Sequence, residues 1–96
     1  MLDLDDAKSV AERHLDRFRQ SGADIVLDER HTVERPTLFA FVYNSRDFVE
    51  RGDELAALVG NGPLIVDRET GAVYECGSAH SVGHHVREYE QSRWVP

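Results

Sequence analysis

The sequence predicts an α+β fold, a four-stranded antiparallel sheet packed by N- and C-terminal helices in the order α-β-β-short α-β-β-α. Three observations carry that prediction. Residues 4–21 repeat apolar side chains at helical spacing, with Ala7, Ala11, Leu15 and Phe18 falling at i, i+4, i+8 and i+11. Residues 38–44 and 63–76 hold short runs rich in β-branched and aromatic residues, the second folded back at a glycine turn. A second helical repeat, Val82, Val86 and Tyr89, closes the chain. Two antiparallel pairs in one sheet, covered by the terminal helices, satisfy this order with short, unknotted links.

The first helix has signals at both ends. Asp3 can cap it, Asp5 and Asp6 sit at the positive end of its dipole, and Gly22 stops it. Leu4 and Val10 widen its apolar stripe, His14 borders that stripe as a boundary histidine, and Lys8 and Glu12 form an i,i+4 pair on the wet side. Ala23 to Leu27 reads as the first strand and Leu38 to Asn44 as the second. The second is apolar on both faces, with Phe39, Phe41 and Tyr43 on one and Leu38, Ala40 and Val42 on the other. A strand of this kind is central, covered on its second face by helices or by a partner chain. The polar stretch 28–36 between the two is read as an extension of the first strand toward a turn at Arg35-Pro36.

Residues 46–62 are too long for a structureless link in a small domain. A turn is expected around Asp47 to Arg51, then a short helix capped by Asp53, carrying Leu55, Ala56, Leu58 and Val59 and ended by Gly60. In Gly60-Asn61-Gly62-Pro63-Leu64-Ile65-Val66-Asp67 the first three residues suit an irregular path, and Pro63 fixes where the third strand starts. Asp67 to Gly71 reads as a hairpin turn, with Val73 and Tyr74 returning. Ser78 or Ser81 caps the last helix, Gly83 weakens its start, and Trp94 is expected to close over the core edge. Phe18, Phe39, Phe41, Tyr74 and Tyr89 are expected in the core.

The 96 residues make one domain, 1–96, with the composition of a soluble globular protein, 41% hydrophobic and 30% charged. Eighteen acids against 11 bases give a net charge of −7, which argues against nucleic acid as a partner and suits a protein with a basic surface. The acidic N-terminus lacks the apolar run of a signal peptide, and no stretch approaches the length of a membrane span. One cysteine excludes an internal disulfide, so a cytoplasmic protein is expected. Homodimerisation is left open.

Candidate chemistry is sparse. Cys76, His80, His84 and His85 are the sharpest cluster, because His80 and His84 could share a helical face at zinc-compatible spacing. No acid follows His80 in the metalloprotease pattern and there is no second cysteine, so a solvated helix start is preferred and no metal or cofactor is assigned. A Cys76 nucleophile lacks anything to lower its pKa. Gly60-Asn61-Gly62-Pro63 leads into a strand without a lysine, the reverse of a phosphate cradle. Asp67 is read as a turn former and Ser78 as a cap. Tyr43 and Phe48 flank Asn44-Ser45-Arg46 at the mouth of the long connection, an aromatic-plus-arginine composition typical of interface anchors.

Several segments together resemble the YrhB-like, or immunity protein 35, family of small bacterial proteins. They are Thr32-Val33-Glu34-Arg35-Pro36, Phe39-Ala40-Phe41-Val42-Tyr43-Asn44-Ser45-Arg46, the run from Gly60 to Asp67, Thr70-Gly71 and Gly77-Ser78, within a likeness covering about residues 5–90. Phe39 stands where that family often has tryptophan, and Ser78 where it has threonine. The resemblance implies a non-enzymatic immunity protein of a polymorphic toxin system, which binds and neutralises a cognate toxin. It supplies no catalytic residue, and its motif residues look structural. A chaperone-like, stress-protective binding protein is the alternative, and a metal protein or enzyme using Cys76, His80 and His84 the second. For the toxin contact, charge and position nominate Asp28, Glu29, Glu34, Tyr43, Arg46, Asp47, Glu50 and Asp53.

Overall fold

The computed structural model describes residues 1–92. Helix α1 (Leu4–Gln20) leads into strands β1 (Ile25–Leu27), β2 (Val33–Glu34), β3 (Leu38–Phe41) and β4 (Tyr43–Ser45). Helix α2 (Arg46–Arg51) follows, then β5 (Asn61–Asp67), β6 (Val73–Gly77) and helix α3 (Val82–Ser92). Single 3₁₀ turns occupy Glu29–His31 and Glu54–Ala56. The class is the expected α+β, with helices at both ends and a four-stranded antiparallel sheet ordered β2-β3-β5-β6.

Helix α1 starts where its acids place it. Asp3 Oδ1 accepts the Asp6 N–H at 2.8 Å, and the Asp6 carboxylate reaches back to the Asp3 N–H at 3.5 Å, satisfying two donors the helix itself leaves open. Gly22, at φ +99°, supplies the left-handed stop. Ala7, Ala11 and Leu15 are fully buried against Phe39, Phe41, Leu64 and Val66, while Leu4 remains 43% exposed. Two alanines on this face let the helix lie close to the large rings below. The Lys8–Glu12 pairing does not form: Lys8 bonds to Glu29, and Glu12 takes Arg19 at 2.7 Å.

All four residues of β3 are buried. Phe39 and Phe41 point into the α1 side, whereas Leu38 and Ala40 join Ile65 and Val86 on the other. The expected twice-covered strand is therefore present, with α3 on its second face.

The pairing differs from expectation in one respect. The apolar run 38–44 does not stay in one sheet: it breaks at Val42, and β4 turns away to pair with β1 through Ile25↔Ser45, Val26↔Asn44 and Leu27↔Tyr43. The vacated edge of the main sheet is filled by β2, with Val33 opposite Ala40 and Glu34 opposite Phe39. The cause lies at Asp28. Its N–H donates to the Val42 carbonyl at 2.7 Å and its own carbonyl accepts the His31 N–H at 3.1 Å, so residues 28–31 turn instead of extending β1.

In the long connection the helix and the turn exchange places. Ser45 Oγ accepts the Phe48 N–H at 3.1 Å and starts α2 where a turn was expected, and Gly52 at φ +70° ends it. The helix expected after Asp53 is one 3₁₀ turn, because Gly60 follows too soon for a second turn to offset nucleation. Leu55 and Val59 are left 99% and 97% exposed.

Strand β5 begins at Asn61, two residues before Pro63, and carries a bulge: Asn61 faces Gly77, but the regular register resumes only at Leu64↔Glu75. A Cβ on Gly62 would lie 2.1 Å from the Gly77 carbonyl oxygen, so only glycine fits there. The hairpin turn is held by Asp67, whose Oδ1 accepts the N–H groups of Glu69 at 2.8 Å and Thr70 at 3.1 Å. Next to it, Arg68 donates to the carbonyls of Leu2 at 3.1 Å and Arg35 at 3.0 Å and lies 4.5 Å above the Phe39 ring.

Tyr74 departs from its expected burial. It sits on the edge strand β6, is 47% exposed, and meets Tyr89 with ring centroids 5.2 Å apart. The Tyr74 ring lines an open cleft between β6 and α3, so one side of it stays in solvent. Ser81, not Ser78, caps α3, its Oγ accepting the His84 N–H at 3.1 Å. The expectation for Trp94 lies outside the described residues.

Candidate partner-binding surface

Four of the nominated contact residues come together. Asp28, Glu29, Arg46 and Glu50 line one open cleft of about 370 Å³ between α1, the β1–β4 ribbon and α2. Arg46 is its organising cation, donating from Nε to Asp24 at 3.1 Å and from Nη1 to Glu50 at 3.1 Å. Asp28 is 6% exposed and held by Arg30 Nε at 3.1 Å. That guanidinium keeps the Asp28 carboxyl below the usual carboxylate range. A buried, already paired carboxylate is a positioning group for its turn rather than an exposed contact.

The other four are dispersed. Glu34 lies on the far edge strand, 3.8 Å from Arg68. Asp47 is 3.7 Å from Arg51 within α2. Asp53 caps the 3₁₀ turn, accepting the Leu55 N–H at 3.1 Å. Tyr43 overturns the expectation of an exposed aromatic anchor: it is 6% exposed and stacks on Phe18 with centroids 6.4 Å apart. Burial pushes its phenol upward. The reason is the register of β4, which turns Tyr43 inward opposite Leu27.

Of the residues with metal or nucleophile potential, His80, His84 and His85 meet ring to ring, with the His85 centroid 6.0 Å from that of His80 and 5.8 Å from that of His84. Cys76 and His85 line the cleft between β6 and α3, while His80 lines another near Pro63 and Val82. His80 and His84 stack ring on ring with centroids 4.0 Å apart, and His84 also meets Glu88 at 3.0 Å. Among the described residues no three His, Cys, Asp or Glu side chains are gathered as a metal would need. Burial, with Glu88 nearby, pushes the Cys76 thiol up, away from the thiolate a nucleophile requires. Asp67 is 2% exposed, and besides its turn it accepts the Tyr89 hydroxyl at 2.5 Å. His14 has the boundary role expected, 2.5 Å from Glu75 Oε1, to which Arg17 also donates at 2.7 Å.

Sequence reasoning missed Leu55 and Val59 as surface residues. The available signal was the eight-residue span from Asp53 to Gly60, room for barely two helical turns.

No described helix is long and apolar enough to cross a membrane. No solved structure matches the chain. It is similar to the uncharacterized protein YrhB of Escherichia coli (strain K12), 38% identical over 50 residues, which make up 52% of this chain and 53% of that relative. The matched stretch thus spans about half the length of each. The model of the immunity protein 35 family matches residues 5–92, from the first turn of α1 to the last residue of α3. The chain therefore belongs to the immunity protein 35 family.

Proposed function

We propose that this chain is an immunity protein that binds a cognate bacterial toxin and neutralises it by occupying the toxin's surface, without catalysis of its own. The observation that carries the reading is the family match across residues 5–92. The local chemistry supports it. Asp28 and Asp67 hold turns, Cys76 is biased toward the thiol, and His80, His84 and His85 lie on α3 and the segment leading to it. A net charge of −7 suits a basic partner, met in the cytoplasm by steered encounter.

The test is co-expression with the toxin domain encoded beside this chain's gene. Wild-type protein restores growth, and Cys76→Ala and His84→Ala restore it equally. Purified complex weakens as salt rises, because steering charges are screened beyond roughly 8 Å at physiological ionic strength. Loss of rescue in either variant with folding intact would turn the reading toward catalysis or metal binding. Suppressed aggregation of unrelated clients, with no effect on the toxin, would make it a holdase.

A further inference from the structure

Leu55 and Val59 stand apart from the other exposed apolar residues. They are 99% and 97% exposed, against 78% for Met1, 47% for Tyr74 and 43% for Leu4. Four positions separate them within one short segment, so they form a local apolar tip rather than scattered surface residues.

The tip is held in place from both ends. At its start the Asp53 N–H donates to the Asp47 carbonyl at 3.2 Å, and the Asp53 carbonyl accepts the Ala56 N–H at 3.1 Å. At its end Asn44 Oδ1 accepts the N–H groups of both Leu58, at 2.7 Å, and Ser45, at 2.8 Å. Leu58 packs against the main core, so the chain is pinned inward between two side chains that point out. Much of the ordering that a binding loop normally undergoes on docking is thus complete in the free protein.

Charge identifies the occupant. Along the neighbouring α1–β1–α2 surface acids have cations: Glu29 has Lys8, Glu12 has Arg19, and Asp24 and Glu50 share Arg46, whereas Asp3, Asp5 and Asp6 at the start of α1 have no ion pair among the described residues. Asp53 and Glu54 flank the tip and have no ion pair among the described residues. An apolar tip bordered by uncompensated carboxylates is complementary to an apolar pocket edged by Arg or Lys. Anionic lipid would repel those carboxylates, and a two-fold contact at the tip would set them against their own copies.

We infer that Asp53–Val59 is the docking tip of this immunity protein, inserting Leu55 and Val59 into a cation-rimmed apolar pocket on the toxin. The inference rests on the toxin-neutralising reading and assigns its surface. In titration calorimetry with the toxin domain encoded beside this chain's gene, Leu55→Ser/Val59→Ser should raise Kd by about 100-fold or more, with an unchanged melting temperature. Glu54→Lys, at an exposed side chain with no ion pair among the described residues, should slow association about tenfold. It gives a second test should the double variant melt early. If wild type binds and both variants bind within threefold of it, the tip assignment is wrong and the immunity reading stands. If wild type does not bind the toxin, both fall. A wild-type dimer in sedimentation that the double variant dissolves would give the tip to a second copy and overturn the inference.

Discussion

The centre of the main sheet and the connection from Arg46 to Gly60 are built on opposite terms. In the centre, Phe39, Phe41, Leu64 and Val66 are at most 1% exposed and are fixed by packing from α1. In the connection no helical residue is buried, and the path is set by polar caps from Ser45, Asp53 and Asn44. Order without burial is the lesson. A segment can be held in one conformation by hydrogen bonds while apolar side chains such as Leu55 and Val59 face water.

The contrast can be broken most forcefully at Phe41. Phe41→Ala should destabilise the fold by about 3–5 kcal/mol, while Leu55→Ala should stay within about 0.5 kcal/mol of wild type in urea unfolding. Equal effects would mean that the tip is packed after all. A middle-sized effect is expected at Asn44, whose amide oxygen serves two N–H groups. Asn44→Ala should cost about 1–3 kcal/mol and speed proteolytic cutting between residues 53 and 60, with exchange at β3 and β5 amides still slow.

The smallest effect is expected at Asp28, and it depends on pH. Arg30 depresses the folded-state pKa of Asp28, so its contribution is present above the unfolded value of about 3.9 and fades as pH falls through the folded value. Asp28→Asn should therefore lower stability at neutral pH and flatten its decline in acid. Because Arg30 is largely exposed, solvent screens much of the pair. An unaltered acid slope would remove Asp28 from the account of the β1–β2 turn.

The same contrast explains what was legible. Helix α1, the two faces of β3 and the Asp67 turn were readable because each follows from local spacing or turn chemistry in a stretch that ends up covered. The break at Val42 was not, since it depends on Asp28 reaching the Val42 carbonyl from 14 residues away. The same blindness applied to Leu55 and Val59, where helical spacing was present but no surface came to meet it. Tyr43 was misplaced for the complementary reason: the residues that follow it are polar, but its register is set by β1. Of the residues nominated by charge and position, Asp28, Glu29, Arg46 and Glu50 line one cleft, while the exposed Leu55 and Val59 escaped a search for charge.

Arg68 has a bearing on the order of assembly during synthesis. It clasps the carbonyl of Leu2 across 66 positions, and its own carbonyl accepts the Leu2 N–H at 2.8 Å. The first helix leaves the ribosome early, yet its foothold and half of its apolar bed, Leu64 and Val66, emerge only with the β5–β6 hairpin. The nascent chain must therefore carry α1 incompletely docked until that hairpin is made and settle it in a long-range step.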